Sequence, residues 1–161
     1  GVKLTESGNK LAIQLTRRHR LIEQFLVEVL NYTWEEVHTE AEELEHVISE
    51  KFEEHLANLL GNPQFDPHGD PIPDRDLNFP DTDTLSLSNL AVGQAAIVRR
   101  VKINQADLLR YLSDQGIIPG ARIKIQNRNP YDETLQLWIG DEIAPYALGV
   151  EISKLIDVEE I

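Results

Sequence analysis

The chain changes character at a segment rich in proline and aspartate that begins near residue 62. Its prolines are Pro63, Pro67, Pro71, Pro73 and Pro80. Prolines at this density break helices and interior strands, so the segment predicts a linker or an ordered extended connection. Before it, apolar residues recur at helical spacing, and after it they alternate as in strands. The sequence therefore predicts a helical domain over 1–62, a linker over 63–85 and a β-rich domain over 86–161.

Leucine-rich stripes indicate the helices of the first domain. They predict a long helix over 6–30, a second that carries residues 38–46 and a third over about 50–60. A helical unit of this size has little core for its apolar surface. Dimerisation through the remaining apolar stripes is therefore expected.

The second domain shows short alternating runs rich in isoleucine and valine, separated by turn signals. They predict strands over 95–103, 122–126, 134–139 and 152–158, with a short helix over 106–113. The pattern is typical of a small β-barrel with one helical insertion.

Composition excludes several function classes. The chain has no cysteine, which excludes disulfides, thiolate zinc sites and thiol catalysis. With 28 acidic against 15 basic residues, the net charge of −13 repels a phosphate backbone. No apolar run approaches the ~18 residues that span a bilayer, and no signal peptide is evident, so a cytosolic setting fits. The chain also has no methionine, and its opening Gly1-Val2-Lys3 favours a fragment that lacks an N-terminal domain.

One stretch concentrates histidine and acidic residues on a predicted helix. At about 100° per residue, four of them fall within roughly one third of the helix circumference. They are His38, Glu42, Glu45 and His46. That face can hold a divalent cation, although ordinary exposed helix charges show the same spacing.

Further histidines lie elsewhere. His19 and Glu23 stand four residues apart on the first helix and form either part of the same metal region or a solvated pair. Histidine and carboxylate without thiolate suit Mn, Fe(II), Co, Ni or Zn, and a set rich in glutamate favours octahedral Mn(II) or Fe(II). His68, beside Gly69, is interpreted as a turn residue rather than a ligand.

Catalytic patterns are weak. A zinc-protease motif needs two histidines flanking a glutamate at fixed spacing, which the residues around Glu45 do not supply. Two Glu-x-x-His spacings end at His38 and His46, but they lie on one predicted helix and cannot face each other across a di-iron bundle. The sequence also has no glycine-rich phosphate loop or nucleophile elbow, so we do not expect an enzyme.

The motifs together resemble the diphtheria-toxin-repressor family of metal-dependent transcriptional regulators. They are HRLIE at 19–23, VHTEAEELEHVIS at 37–49 and DPHGDPIP at 66–73. Residues 86–161 are similar to the SH3-like, FeoA-like domain that follows in many members, through LLRYL at 108–112 and IPG at 118–120. The resemblance implies a three-helix dimerisation and metal-binding domain followed by an SH3-like small β-barrel.

The same resemblance implies a function. It describes a cytoplasmic bacterial homodimer that senses Mn(II) or Fe(II) and represses metal-homeostasis genes, with Zn, Co or Ni able to bind in vitro. In the family, DNA is bound by an N-terminal winged helix-turn-helix domain, which we expect to be missing from this chain. No membrane association is implied.

Carried over by motif, the primary metal site comprises Glu42, Glu45 and His46, with its other ligands from the missing domain. Glu42 stands where iron-type members often have cysteine, which favours Mn(II) over Fe(II).

The ancillary site comprises His19, Glu23 and His38. In iron-type members the SH3-like domain also supplies ligands, and Gln105 or Asp107 occupies the matching stretch here.

An alternative interpretation is a metal-independent interaction module whose SH3-like domain binds a peptide or protein partner. The two interpretations differ in one structural expectation. A metal sensor requires His19, Glu23 and His38 to converge in space, and an interaction module does not.

Overall fold

The molecule divides into two compact units, Gly1–Asp81 and Thr82–Ile161. The structure is a computed structural model and describes residues 3–140 and 144–161. None of the helices in these residues is long and apolar enough to cross a membrane. The described helices of the first unit precede the strands of the second, as the change in sequence periodicity predicts.

The first unit is helical. It contains α1 (Glu6–Glu28), α2 (Val37–Leu44) and α3 (Glu50–Leu59). Thr5 caps α1 and Ser49 caps α3, each accepting a backbone N–H hydrogen bond with its side-chain oxygen. These helices confirm the predicted three-helix domain.

The helices and the proline-rich segment share one core. Its buried members are Leu21, Ile22, Leu26, Val37, Ala41, Leu56, Ala57 and Ile72. Ile72 belongs to the proline-rich segment, whose backbone carbonyls accept hydrogen bonds from Arg17 and Arg20 of α1. The segment thus packs within the first unit as far as Asp81.

Helix α2 ends earlier than the sequence predicts. After Leu44 the backbone tightens, because the Val47 N–H donates to the carbonyl only three residues back. Glu45 is the C-terminal cap and His46 lies in the following turn. The prediction of one continuous helix over 38–46 is therefore wrong at its end.

The second unit is an antiparallel sheet. Its described residues form six strands in the order β1-β6-β2-β3-β4-β5. The strands are β1 (Leu85–Ser86), β2 (Ala95–Val101), β3 (Arg122–Arg128), β4 (Leu135–Ile139), β5 (Tyr146–Leu148) and β6 (Ile156–Glu160). Helix α4 (Ala106–Asp114) connects β2 to β3, as predicted. This arrangement confirms the small SH3-like β domain.

Two details of the second unit differ from the prediction. The expected strand over 152–158 is instead a short helix, α5 (Val150–Ser153), followed by β6 from Ile156. Strands β1 and β5 were not predicted, since their 2 and 3 residues are too short to show alternation.

Candidate metal centre

Helices α1 and α2 bring His19, Glu23 and His38 together. The buried stripe of α1, which includes Leu21 and Leu26, turns that helix toward α2 and leaves His19 and Glu23 beside it. The four-residue spacing stacks the two side chains one turn apart. His38, in the first turn of α2, approaches them from the neighbouring helix.

The three ligand atoms form a nearly equilateral triangle. His19 Nε2 lies 3.0 Å from Glu23 Oε1 and 3.1 Å from His38 Nδ1, and the third side, His38 Nδ1 to Glu23 Oε1, is 3.2 Å. Ligands about 2.1 Å from a metal are about 3.0 Å apart along an octahedral edge, and about 3.4 Å apart in a tetrahedron. The donor set and its spacing therefore fit a divalent cation, with the octahedral spacing closer.

The triangle is buried on one side and open on the other. Glu23 is 2% exposed, whereas the side chains of His19 and His38 are 15% and 28% exposed. Solvent thus reaches the histidines while the carboxylate is held inside. A cation at the triangle can keep water ligands on its open side.

Glu45 supports the triangle from behind. Its Oε2 lies 2.6 Å from His19 Nδ1, so the ring is held from both nitrogens. Carboxylate partners of this kind orient metal-ligating histidines. Burial lowers the pKa of His19, but the hydrogen bonds and charges of Glu23 and Glu45 outweigh burial and raise it.

Glu23 is the most strongly perturbed carboxylate of the centre. Burial alone raises its pKa, but the adjacent imidazoles of His19 and His68 outweigh burial and hold the pKa far below its usual range. Glu23 is thus a charged carboxylate in a buried position. Buried charges require partners, and the imidazoles provide them.

His68 and Asp66 were missed as neighbours of the centre. Both are buried, and with Glu23 they form a second group of potential ligand atoms within 4.8 Å of one another. Burial, followed by repulsion from Glu23 and Asp70, raises the pKa of Asp66 to about 7. From the sequence, His68 is interpreted as a turn residue rather than a ligand, and the signal for burial was the nearby Ile72, which joins the core.

The residues predicted for the primary site lie further apart. Glu42 is 60% exposed and His46 is 67% exposed in their side chains. Glu42 approaches His38 Nε2 at 3.4 Å, and His46 Nε2 approaches Glu45 Oε1 at 3.4 Å. Within residues 3–140 and 144–161, neither group of three converging ligand atoms contains Glu42, Glu45 or His46. The primary site remains a prediction.

Gln105 and Asp107 belong to the second unit. Gln105 is the residue before α4, and Asp107 is in its first turn. The Asp107 side chain is 100% exposed, and its Oδ1 lies 3.3 Å from Arg110 Nη1. Their role as metal ligands also remains a prediction.

Comparison with known families matches both units. Residues 5–74 match the family described as iron dependent repressor, metal binding and dimerisation domain, and residues 85–160 match the FeoA domain. The helical unit with its histidine and carboxylate triangle falls in the first match, and the sheet in the second. The chain is thus similar to a metal-binding and dimerisation domain followed by a FeoA domain.

Individual relatives identify the family. The chain is 38% identical over 137 residues to the iron-dependent repressor IdeR of Mycobacterium tuberculosis (strain H37Rv), covering 78% of this chain and 60% of that protein. It is 33% identical over 172 residues to IdeR of Mycobacterium leprae, covering 99% and 74%. A solved manganese-dependent transcriptional repressor in complex with manganese matches with a TM-score of 0.91 and 37% identity, over 100% and 76%. The chain belongs to the diphtheria-toxin-repressor family of metal-dependent transcriptional regulators.

Proposed function

We propose that this chain is the metal-sensing and dimerisation core of a Mn(II)- or Fe(II)-dependent transcriptional repressor of metal-homeostasis genes. The observation that carries the proposal is the convergence of His19, Glu23 and His38 to within 3.2 Å of one another. An interaction module that binds no metal does not require this convergence. The family supports the same conclusion, although the chain covers 60% of the length of the mycobacterial relatives matched over 137 residues.

His19, Glu23 and His38 would hold the cation in this proposal. A bound divalent cation supplies positive charge that one carboxylate and two imidazoles share. His19 and Glu23 lie on α1 and His38 lies on α2, so a cation held by all three would link the two helices. Metal binding therefore favours conformations in which the two helices keep their present relation, and so shifts the population toward them.

Mn(II) is the preferred cation. The triangle has two nitrogen donors and one oxygen donor, and the chain has no cysteine to favour softer metals. The spacing of the donors is closer to an octahedral edge than to a tetrahedral one. The matched solved structure is described as a manganese-dependent repressor, and the mycobacterial relatives as iron-dependent.

Dimerisation and DNA binding complete the proposal. Large apolar side chains are exposed on the helical unit and offer a surface for a second copy; they include Leu4, Leu11, Val47, Phe52 and Leu59. The net charge of −13 disfavours DNA binding by these 161 residues, so DNA would be contacted by another domain of the intact repressor. Sedimentation over a range of protein concentrations tests the homodimer directly.

A Mn(II) titration of the chelator-stripped protein tests the metal site. Binding is followed by calorimetry or by loss of the free-ion EPR signal, in the parent chain, in His19→Ala/His38→Ala and in Glu42→Ala/His46→Ala. We expect the tighter binding to disappear in the first variant and to persist in the second. No uptake of Mn(II), Fe(II) or Zn(II) by the parent chain at micromolar concentration would contradict the proposal.

A further inference from the structure

His68 lies behind the metal centre, in the proline-rich segment of the first unit. Its side chain is buried and stacks on Trp34, with 5.5 Å between ring centroids and 30° between ring planes. Its Nε2 lies 2.7 Å from the Trp34 carbonyl oxygen. A carbonyl oxygen only accepts hydrogen bonds, so Nε2 carries a hydrogen and donates it. The stacking and this hydrogen bond together fix the direction of Nδ1.

The Nδ1 atom of His68 faces two carboxylates. It lies 3.6 Å from Glu23 Oε2 and 3.9 Å from Asp66 Oδ1. Asp66 Oδ1 already accepts the backbone N–H groups of His68 and Asp70, at 2.8 and 2.9 Å, and its Oδ2 lies 3.7 Å from the Arg20 guanidinium. Asp66 is thus hydrogen-bonded within its own turn and forms an ion pair with the Arg20 guanidinium. Glu23 is the carboxylate that Nδ1 of His68 approaches more closely, as an ion pair in which the ring carries hydrogens on both nitrogens.

Glu23 divides its two oxygens between the metal triangle and His68. Oε1 lies with His19 and His38 at the triangle, and Oε2 faces His68. A buried carboxylate that ligates a metal through one oxygen is oriented by the partner of the other. We infer that His68 is a positioning residue that holds the Glu23 carboxylate in its metal-binding orientation. This inference rests on the proposed metal-sensing function.

The same ring also contacts both segments that carry ligands. Trp34 lies in the turn just before α2, the helix of His38, whereas Glu23 lies on α1. One edge of the His68 ring therefore contacts the turn that precedes α2, and the opposite edge faces the Glu23 carboxylate on α1. Loss of this ring is expected to affect the metal triangle specifically, because both contacts end at the segments that form it.

The test uses the full chain with Glu42→Ala/His46→Ala as the parent, so that Mn(II) binding reports the His19, Glu23 and His38 triangle. We expect His68→Phe, which keeps the ring shape without nitrogen atoms, to weaken Mn(II) binding by about 10- to 100-fold. His68→Asn places an amide near the position of Nδ1 and should recover part of the affinity. His68→Gln reaches toward the Trp34 carbonyl instead and should recover less.

The matched control is Asp74→Ala in the same proline-rich segment. Asp74 Oδ1 accepts the backbone N–H groups of Asp76 and Asn78, as Asp66 does in its own turn, and these contacts of Asp74 do not involve Glu23. The Asp74 variant should bind Mn(II) with the parent affinity. The visible absorption of the Co(II)-loaded protein, which follows ligand geometry, should change in His68→Phe and stay unchanged in the control.

A His68→Phe variant that binds Mn(II) with the parent affinity would overturn the role of His68 while leaving the metal site intact. If His68→Phe does not fold, the Mn(II) affinities of His68→Asn and His68→Gln test the inference instead. Equal affinities of these two variants would overturn it. A parent that takes up no Mn(II) would instead contradict the proposed function itself.

Discussion

The two groups of predicted ligands differ in how the fold treats them. His19, Glu23 and His38 come from two helices, and their donor atoms lie 3.0 to 3.2 Å apart around a carboxylate that is 2% exposed. Glu42 and His46 come from a single helix and its terminal turn, and their side chains are 60% and 67% exposed. The i,i+4 spacing on α1 brings two donor atoms, His19 Nε2 and Glu23 Oε1, together, but a second helix supplies the third donor, His38 Nδ1. Of the two groups, the one that brings three donor atoms together is therefore the one that α1 and α2 build jointly.

Glu45 connects the two groups. One of its oxygens lies 2.6 Å from His19 Nδ1, and the other lies 3.4 Å from His46 Nε2. Its carboxylate supports the triangle in this structure, and the family resemblance assigns it to the primary site. A change at either group is therefore expected to reach the other through this side chain.

The largest difference between the groups is expected on removal of one carboxylate from each. Glu23→Gln keeps the shape of a buried ligand but removes its charge. Loss of a residue that only supports a ligand weakens metal binding by roughly 10- to 100-fold, so loss of this ligand's charge should weaken Mn(II) binding by more than about 100-fold. The matched variant Glu42→Gln alters an exposed side chain outside the triangle and should change the affinity of the triangle for Mn(II) by less than about threefold. Both are measured by loss of the free-ion EPR signal. The reverse order would contradict the comparison.

The next effect concerns stability. The chain has 2 tryptophans, Trp34 in the helical unit and Trp138 in β4, so Trp138→Phe leaves Trp34 as the fluorescent reporter of the first unit. Mn(II) at about 100 times its dissociation constant should raise the free energy of unfolding reported by Trp34 by about 2.7 kcal/mol. Denaturant titrations with and without Mn(II) measure this change. A Trp34 transition that Mn(II) does not move would contradict the placement of the metal site on the helical unit.

A smaller effect is expected from Glu45→Gln. The variant replaces the carboxylate 2.6 Å from His19 Nδ1 with a neutral amide, which orients the ring less strongly. Mn(II) affinity at the triangle should fall by about tenfold, measured in the Glu42→Ala/His46→Ala background so that the other group does not contribute. An unchanged affinity would show that His19 does not need this support.

The smallest effect is the pH dependence of Mn(II) binding. Glu23 and Glu45 raise the pKa of His19 against the effect of burial, so protons compete with the metal for this ring as the pH falls. Affinity at the triangle should therefore decrease toward acid pH, by less than about tenfold between pH 8 and pH 7. Calorimetry at several pH values measures it. An affinity that rises toward acid pH would contradict the assignment of His19 as a ligand.

The sequence predicted much of this architecture because its strongest signals are local. The stripe at Leu21, Ile22 and Leu26 marks α1, and the four-residue spacing of His19 and Glu23 places both on one face. Their approach to His38 is a tertiary contact, which the family resemblance rather than the spacing indicated.

Other features depend on contacts that the sequence does not display. The turn chemistry around His68 indicated a turn residue rather than a ligand, yet Arg17 and Arg20 of α1 donate hydrogen bonds to the carbonyls of Pro73 and Pro71 and hold the segment against the core. The end of α2 at Leu44 depends on a tightened turn that the apolar pattern continues through. In the second unit, Ile152 fits an alternating strand pattern but lies in α5.

The placement of the metal at the triangle is tested most directly by a crystal structure of the Mn(II)-loaded chain, with anomalous diffraction data collected on both sides of the manganese absorption edge. We predict an anomalous peak within bonding distance of His19 Nε2, Glu23 Oε1 and His38 Nδ1. A protein that binds Mn(II) in solution but shows its peak only beside Glu42 and His46 would contradict this placement.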